Sequence, residues 1–178
     1  GRVILNYSQI DSPKLNTIVR ECRGLTLQNK SWRLISRQFF RFFNASEVSS
    51  EDEKFNWNNT VICTSKEDGS LISVFWYNGE FKIQTRASFS KGEVNDSGKT
   101  LEELVLSCLD LSKLNPKYSY SFELCSPYNK IVRRYNTKLY LLSVFEGENE
   151  LPFETTEDEA KRIGVNLPDS YSFNSVID

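Results

Sequence analysis

The middle of the chain alternates short runs of β-branched and aromatic residues with turn signals. Two such runs, residues 60–64 (TVICT) and 71–75 (LISVF), flank the turn sequence KEDGS at residues 66–70. Runs of this length and composition predict strands, so the segment is predicted to fold as strand, tight turn and strand. The Asn-Gly pair at residues 78–79 is the strongest hairpin signal in the sequence, and an alternating strand follows over residues 80–86. An antiparallel sheet is therefore the first expectation for this chain.

The rest of the pattern contains more strands than helices. The length of 178 residues suits one domain. Further strands are predicted in a hairpin over residues 24–35 and over residues 118–125 and 138–145, and a turn at residues 126–129 leads into residues 131–132. Helices are predicted over residues 11–22, 98–111 and 155–164, and the final stretch is weakly patterned. This mixture predicts an α+β fold with largely antiparallel sheets and a few helices.

Composition excludes several kinds of site. The sequence has no histidine, which excludes a Ser/His or Cys/His nucleophile pair and a His-ligated metal. The four cysteines form no CxxC pair, so a zinc or thiol redox site is not expected. Three of them lie in apolar stretches and are expected to be buried and reduced, which suits an intracellular compartment. No apolar run is long enough to cross a bilayer.

Residues 37–44 (RQFFRFFN) combine four phenylalanines with an arginine in their midst. The phenylalanines are expected to lie mostly in the core. Arg41 has two alternatives, because its long side chain can either extend outward to solvent or point into a polar pocket. The net charge of −2 does not by itself indicate a nucleic-acid binder, although cations focused on one surface could still bind one.

Lys66 in the KEDGS turn is the candidate nucleophile, although a solvated loop lysine is the simplest reading of this turn taken alone. A lysine attacks as the free amine, a form that nearby cations and partial burial favour. Arg23, Arg41 and Arg86 lie at the edges of apolar elements and could converge on a phosphate-rich ligand. Glu123 lies between two apolar residues of a predicted strand, so it is expected to be partly enclosed and to need a cationic or hydroxyl partner.

Five short motifs occur in an order and spacing typical of one family. They are ECRG at residues 21–24, RFFN at 41–44, KEDGSL at 66–71, RAS at 86–88 and FEL at 122–124. KEDG resembles the KxDG motif I of the covalent nucleotidyltransferases, the polynucleotide ligases and mRNA capping enzymes. The five motifs together resemble the bacteriophage RNA ligase 1 type of ATP-dependent RNA ligase, which includes tRNA-repair enzymes.

The resemblance implies an adenylation domain in which Lys66 attacks the α-phosphorus of ATP and carries AMP. AMP would then pass to an RNA 5′-phosphate, and a 3′-hydroxyl would displace it to seal the strand. Mg²⁺ is implied as well, with ligands that the sequence does not assign. Arg41 and Arg86 stand where the family usually has lysine, and Gly69 would allow close backbone approach near the nucleotide. The ATP-binding residues implied in this way are Arg23, Arg41, Lys66, Gly69, Arg86 and Glu123.

The end of the sequence departs from the family pattern. The family has an acidic EGxV-like motif IV and a KxK motif V, and neither occurs after Glu146. Residues 1–178 are therefore expected to be a partial adenylation domain without motifs IV and V or a specificity domain, with little or no ligation on its own. The resemblance also implies a phage source and the host cytoplasm. A non-catalytic ATP or RNA-end binding module, and a relative of DNA ligases or GTP-using capping enzymes, are the alternatives.

Overall fold

The computed structural model describes residues 1–52, 56, 59–89, 94, 98–128 and 136–174. The strands are β1 (Arg2–Asn6), β2 (Arg23–Gln28), β3 (Leu34–Ser36), β4 (Val61–Thr64), β5 (Ser70–Tyr77), β6 (Glu80–Thr85), β7 (Tyr118–Cys125), β8 (Lys138–Glu146), β9 (Asn149–Glu150) and β10 (Ser170–Phe173). The helices are α1 (Thr17–Glu21), α2 (Ser49–Asp52), α3 (Leu101–Leu106) and α4 (Phe153–Ile163), with a 3₁₀ turn at Leu111–Lys113.

The strands form three sheets. The central sheet has five strands in the order β6-β5-β7-β8-β9, a second sheet has the order β1-β2-β3, and β10 pairs with β4 in a third. Every strand pair within these sheets is antiparallel. The predicted α+β class with largely antiparallel sheets is confirmed, as are the Asn-Gly hairpin between β5 and β6 and the hairpin of β2 and β3.

One face of the central sheet carries the hydrophobic core. On β7, the side chains of Tyr120, Phe122 and Leu124 are fully buried on this face. Successive residues of a strand point to opposite faces, so alternate positions of β7 supply the core. The face packs against α3 and α4, which contribute four buried side chains to the same cluster, namely Leu104, Val105, Ala160 and Ile163.

The opposite face of the same sheet is also buried, and it carries a polar row among apolar side chains such as Phe75 and Phe145. Ser73 lies in register with Gln84 on one side and with Ser121 on the other. All three are fully buried. Hydrogen bonds tie this row to the three-stranded sheet, since Gln84 Nε2 donates to Thr26 Oγ1 at 2.7 Å and the hydroxyls of Ser36 and Ser73 are 3.2 Å apart. These polar contacts hold β2 and β3 against β5 and β6.

The prediction of a tight turn joining the strands on either side of residue 66 is wrong. Both strands exist, but β4 pairs with β10, whereas β5 pairs with β6 and β7. Because both edges of β5 are occupied, β4 has no edge of that strand to join. The KEDGS segment is therefore a connection between two sheets.

The predicted helix starts need correction. The first helix begins after the N-cap Asn16 instead of near Ser12, and its expected apolar residues Leu15 and Ile18 are 50% and 74% exposed. The second begins after Thr100, whose side chain forms a capping box with Glu103, and spans only Leu101–Leu106. α4 begins two residues before the predicted start, and it ends before Gly164 as predicted.

Further expectations concern single residues. The phenylalanines of residues 39–43 are not core residues, because none is fully buried and Phe42 is 64% exposed. Of the cysteines, Cys125 is buried and Cys63 is exposed, so the expectation of three buried thiols is wrong.

The weakly patterned final stretch contains β10. Residues 129–135, which include the end of the predicted turn and residues 131–132, lie outside the described residues. No helix in the described part of the chain is long and apolar enough to span a membrane.

Candidate active site

Five of the six predicted ATP-binding residues line one cavity of about 950 Å³. They come from four separate segments of the chain, so the predicted convergence occurs. Lys66 lies between β4 and β5 and is exposed to this cavity. The apolar part of the wall comes mainly from Phe39, Phe42, Ile62, Leu141, Leu142, Phe153 and Pro168. The five predicted residues are Arg23, Lys66, Gly69, Arg86 and Glu123.

Arg23 and Arg86 are brought to the cavity by a clamp around Asn6. The Asn6 Nδ2 group donates to the Arg86 carbonyl at 2.9 Å, and Asn6 Oδ1 accepts from the Gly24 amide at 3.1 Å. Arg86 Nε also donates to Asn6 Oδ1 at 3.3 Å. Gly24 has φ of +76°, and a Cβ there would lie 3.1 Å from the Arg86 carbonyl oxygen, so only glycine suits this contact.

Glu123 is tied to the lysine turn through Gly69. The Gly69 amide donates to Glu123 Oε1 at 2.9 Å. Burial raises the pKa of Glu123 above its ordinary value, while this amide and the charges of Lys66 and Arg23 oppose the rise. The carboxylate is thus partly enclosed beside cations, as expected.

Gly69 is glycine for a reason that the sequence did not reveal. A Cβ at this position would lie 2.3 Å from the carbonyl oxygen of Leu124 on β7. Such a distance is far inside van der Waals contact, so a side chain would force β5 and β7 apart. The close approach that requires Gly69 is therefore an approach of two protein strands.

Arg41 lines an adjoining cavity of about 210 Å³, together with Tyr7, Arg23 and Arg86. The Arg41 side chain points into this pocket and is only 4% exposed, which decides between the two alternatives for it. The guanidinium carbons of Arg41 and Arg86 lie 4.3 and 4.9 Å from the ring centroid of Tyr7, so the ring contacts both cations.

The smaller cavity gathers three arginines of like charge. None of Arg23, Arg41 and Arg86 forms an ion pair with a carboxylate of the described residues. Burial lowers the pKa of Arg23, with a further lowering from Arg86 and an opposing effect of Tyr7, and the Arg23 Nη1 atom is buried without a hydrogen-bond partner. Like charges placed this close favour an anionic ligand such as a phosphate.

The sequence reasoning assigned no role to Asn6 or Tyr7, both of which contact Arg86. Asn6 is the last residue of β1 and Tyr7 follows it, and the pairing with β2 shifts its register between Leu5 and Asn6. Their contacts to Arg86 bridge about eighty positions of sequence, as in the Asn6 bond with a separation of 80. A break in an apolar run is the only local signal, and it does not specify a partner.

The described residues do not fit a metal ion held by the protein itself. They contain no group of three or more cysteine, aspartate, glutamate or histidine residues that could hold one. Glu123 already accepts the Gly69 amide, and the charges that act on it are those of Lys66, Arg23 and Asp68.

Comparison with known proteins places the chain in a family. A sequence model described as RNA ligase matches residues 21–176, most of the chain. The chain belongs to the RNA ligase family. This match spans the lysine turn, all three arginines and Glu123, so the predicted family resemblance is confirmed.

Individual relatives support the assignment of this chain to the RNA ligase family. A putative bifunctional polynucleotide kinase/RNA ligase of Autographa californica nuclear polyhedrosis virus is 31% identical over 167 residues, which cover 83% of this chain and 24% of that protein. A putative RNA ligase of Thermovibrio ammonificans is 26% identical over 154 residues, covering 84% of this chain and 40% of that protein. The chain spans less than half the length of these curated relatives.

Solved structures confirm the fold of the RNA ligase chain. A putative ATP-dependent DNA ligase from Aquifex aeolicus superposes with a TM-score of 0.55 at 14% identity, covering 84% of this chain and 46% of that one. An archaeal ATP-dependent RNA ligase gives 0.54 at 17% identity, covering 78% and 38%. At these identities the likeness concerns the fold alone, which is that of ATP-dependent ligases.

Proposed function

We propose that this chain is the ATP-binding part of an ATP-dependent RNA ligase, in which Lys66 receives AMP. The observation that carries the proposal is that Lys66, Arg23 and Arg86 line one cavity in a member of the RNA ligase family. Because the chain spans less than half of its relatives, the joining of RNA ends is likewise part of the proposal.

The first step is attack by the lysine on ATP. The neutral Lys66 Nζ attacks the α-phosphorus, a nitrogen–phosphorus bond forms, and the phosphorus–oxygen bond to pyrophosphate breaks. The amine loses a proton to solvent, to which Lys66 is exposed. Negative charge grows on the leaving pyrophosphate, and Arg23 and Arg86 would stabilise it from the cavity wall.

The two cavities suggest how ATP would lie. Arg23 and Arg86 line both, so the α-phosphate would sit at their junction and the outer phosphates would extend toward Arg41 and Tyr7. The adenine would take the apolar part of the larger cavity, beside residues such as Phe42. The remaining oxygen of Glu123 would face the ribose or take part in a metal-linked network.

Mg²⁺ belongs to the proposal only as a companion of ATP. The described residues hold no metal-ligand cluster, so the ion would be bound mainly by phosphate oxygens and water, the usual mode for Mg²⁺ at nucleotides. Its chemistry would be to neutralise phosphate charge. No step assigned to the protein residues depends on its position.

The later steps would use RNA ends. AMP would move from Lys66 to an RNA 5′-phosphate, which frees the lysine, and a 3′-hydroxyl would then displace AMP to form the phosphodiester bond. A broken tRNA is one such substrate. The phage source and the cytoplasmic location stay predictions, as do the tRNA and the chemistry of the ends.

ATP titration of the 178-residue chain by calorimetry tests the binding claim. Arg23→Ala and Arg86→Ala should each weaken ATP binding about 10- to 150-fold, since a hydrogen bond to a charged group contributes roughly 1.5–3 kcal/mol. Arg162→Ala is the matched control, because Arg162 pairs with Glu159 on α4. Equal affinities of all four proteins, or no ATP binding, would refute the proposed site. Tighter binding of GTP than of ATP would favour the capping-enzyme alternative.

A further inference from the structure

Residues 23–46 carry five cations and no carboxylate, within a chain whose net charge is −2. Arg23 and Arg41 belong to the proposed ATP site, and Arg37 pairs with Glu21. Lys30 and Arg33 remain, and both are exposed in the connection between β2 and β3. The chain therefore places two cations, with no acidic residue between them, on a loop that the proposed chemistry does not use.

Trp32 lies between these cations and is 58% exposed. Its φ is +57°, and that of Lys30 is +73°. A bulky residue in the left-handed region costs roughly 1–2 kcal/mol, and an exposed indole recovers little of this through burial. Trp32 therefore stabilises the fold through neither its backbone conformation nor the burial of its side chain. Contact of the exposed indole with a ligand explains a tryptophan at this position better.

Backbone hydrogen bonds order the loop that carries the indole. The Trp32 amide donates to the Gln28 carbonyl at 3.0 Å, and the Gln28 amide donates to the Arg33 carbonyl at 2.8 Å. The Asn29 amide donates to the Gly1 carbonyl at 3.0 Å, which ties the loop to the start of β1. A rigid aromatic platform loses little conformational entropy when a flat ligand stacks on it.

The loop is set apart from the ATP cavity by the length of β2. Arg23 begins this strand at the cavity and Gln28 ends it at the loop. Five residue steps of about 3.3 Å place the two ends roughly 17 Å apart. The β5–β6 hairpin contacts this end of β2, since the Tyr77 hydroxyl donates to Gln28 Oε1 at 3.0 Å. Glu80 of the same hairpin is paired with Lys82. An RNA strand whose end lies in the cavity could therefore reach Trp32 without meeting an unpaired Glu80 carboxylate.

We propose that Trp32, Lys30 and Arg33 form a stacking site for single-stranded RNA several nucleotides from the end held in the cavity. The indole would stack on a base, and the two cations would contact the flanking phosphates. This inference rests on the proposed function, because it extends the same RNA substrate away from Lys66. Charge and a flat aromatic surface together favour a nucleic-acid strand over a protein partner.

RNA binding to the 178-residue chain, measured by fluorescence anisotropy with 5′-phosphorylated RNA of about four and about twelve nucleotides, tests this site. Trp32→Ala should weaken binding of the longer RNA about 5- to 150-fold, whereas Trp32→Phe should bind nearly as the wild type. Trp76→Ala is the matched control, since Trp76 is also exposed but packs on Phe81 at 4.9 Å. Lys30→Gln with Arg33→Gln should lower the salt slope by about 1.4.

ATP titration of the same variants separates the two claims. Unchanged ATP affinity with weakened binding of the longer RNA supports the stacking site. Equal affinity of wild type and Trp32→Ala for the longer RNA, at unchanged melting temperature, would overturn it and favour a protein contact at this loop. An absence of ATP binding by the wild type would refute the proposed ATP site. The comparison of RNA affinities between wild type and variants would still test the stacking site.

Discussion

The two faces of β7 are both buried, yet they have opposite chemistry. Tyr120, Phe122 and Leu124 pack into the apolar core, whereas Ser121 and Glu123 face the three-stranded sheet and the cavity. Apolar burial contributes free energy of folding roughly in proportion to area. The polar face contributes less stability and instead positions charged groups. The two faces of β7 thus have different roles: one stabilises the fold, and the other positions polar residues of the candidate site.

Substitution of adjacent residues on β7 tests this separation most strongly. Phe122→Ala should lower the free energy of unfolding by about 3–5 kcal/mol, because it removes a fully buried ring and leaves a cavity. Ser121→Ala is the matched control on the other face and should cost nothing, since the buried Ser121 Oγ has no hydrogen-bond partner. Urea unfolding measures both, and similar losses would contradict the comparison.

Gly69→Ala should have an intermediate effect that reaches both faces. The added methyl group meets the Leu124 backbone, and such overpacking costs typically about 1–3 kcal/mol. Separation of β5 from β7 should also lengthen the Gly69–Glu123 hydrogen bond and weaken ATP binding. Thermal unfolding and ATP titration check the two effects. A Gly69→Ala variant with wild-type stability would contradict the close approach of Gly69 to the Leu124 backbone.

Glu123→Gln should have the smallest effect, and its sign should depend on pH. Because burial raises the pKa of Glu123 in the folded state, this group stabilises the fold below its unfolded pKa of about 4.3, and that stability is lost as the pH rises through the folded pKa. The neutral glutamine variant should therefore gain stability relative to wild type between about pH 4 and pH 7. A loss over this range would mean that Lys66 and Arg23 outweigh burial.

Local patterns predicted β2 to β8, because alternation and the Asn-Gly turn act over few residues, but they did not predict β1, β9 or β10. β7 has the predicted bounds, and β8 extends one residue beyond its prediction. The β4–β10 pair could not be predicted in this way, since Ser172 on β10 faces Ile62 across more than a hundred residues and every β10 side chain is exposed. Without a buried face, a strand has no hydrophobic alternation.

The candidate site was predictable only in part, for a related reason. The family motifs supplied Lys66, Gly69, Glu123 and three arginines, and the structure brings five of these six residues to one cavity. The roles of Asn6 and Tyr7 depend on contacts with Arg86 in a distant segment. The reason for Gly69, a contact with the Leu124 backbone, depends equally on which strand lies beside it.

The most direct test of the central claim is to find where AMP becomes attached. The 178-residue chain would be incubated with ATP and Mg²⁺, digested, and mapped by mass spectrometry, which detects an adduct even at low occupancy. The account predicts AMP on Lys66 through an acid-labile bond, and none in Lys66→Arg, which keeps the charge but loses the nucleophilic amine. AMP on another residue, or bound ATP with no adduct at Lys66, would contradict it and favour a non-catalytic binding module.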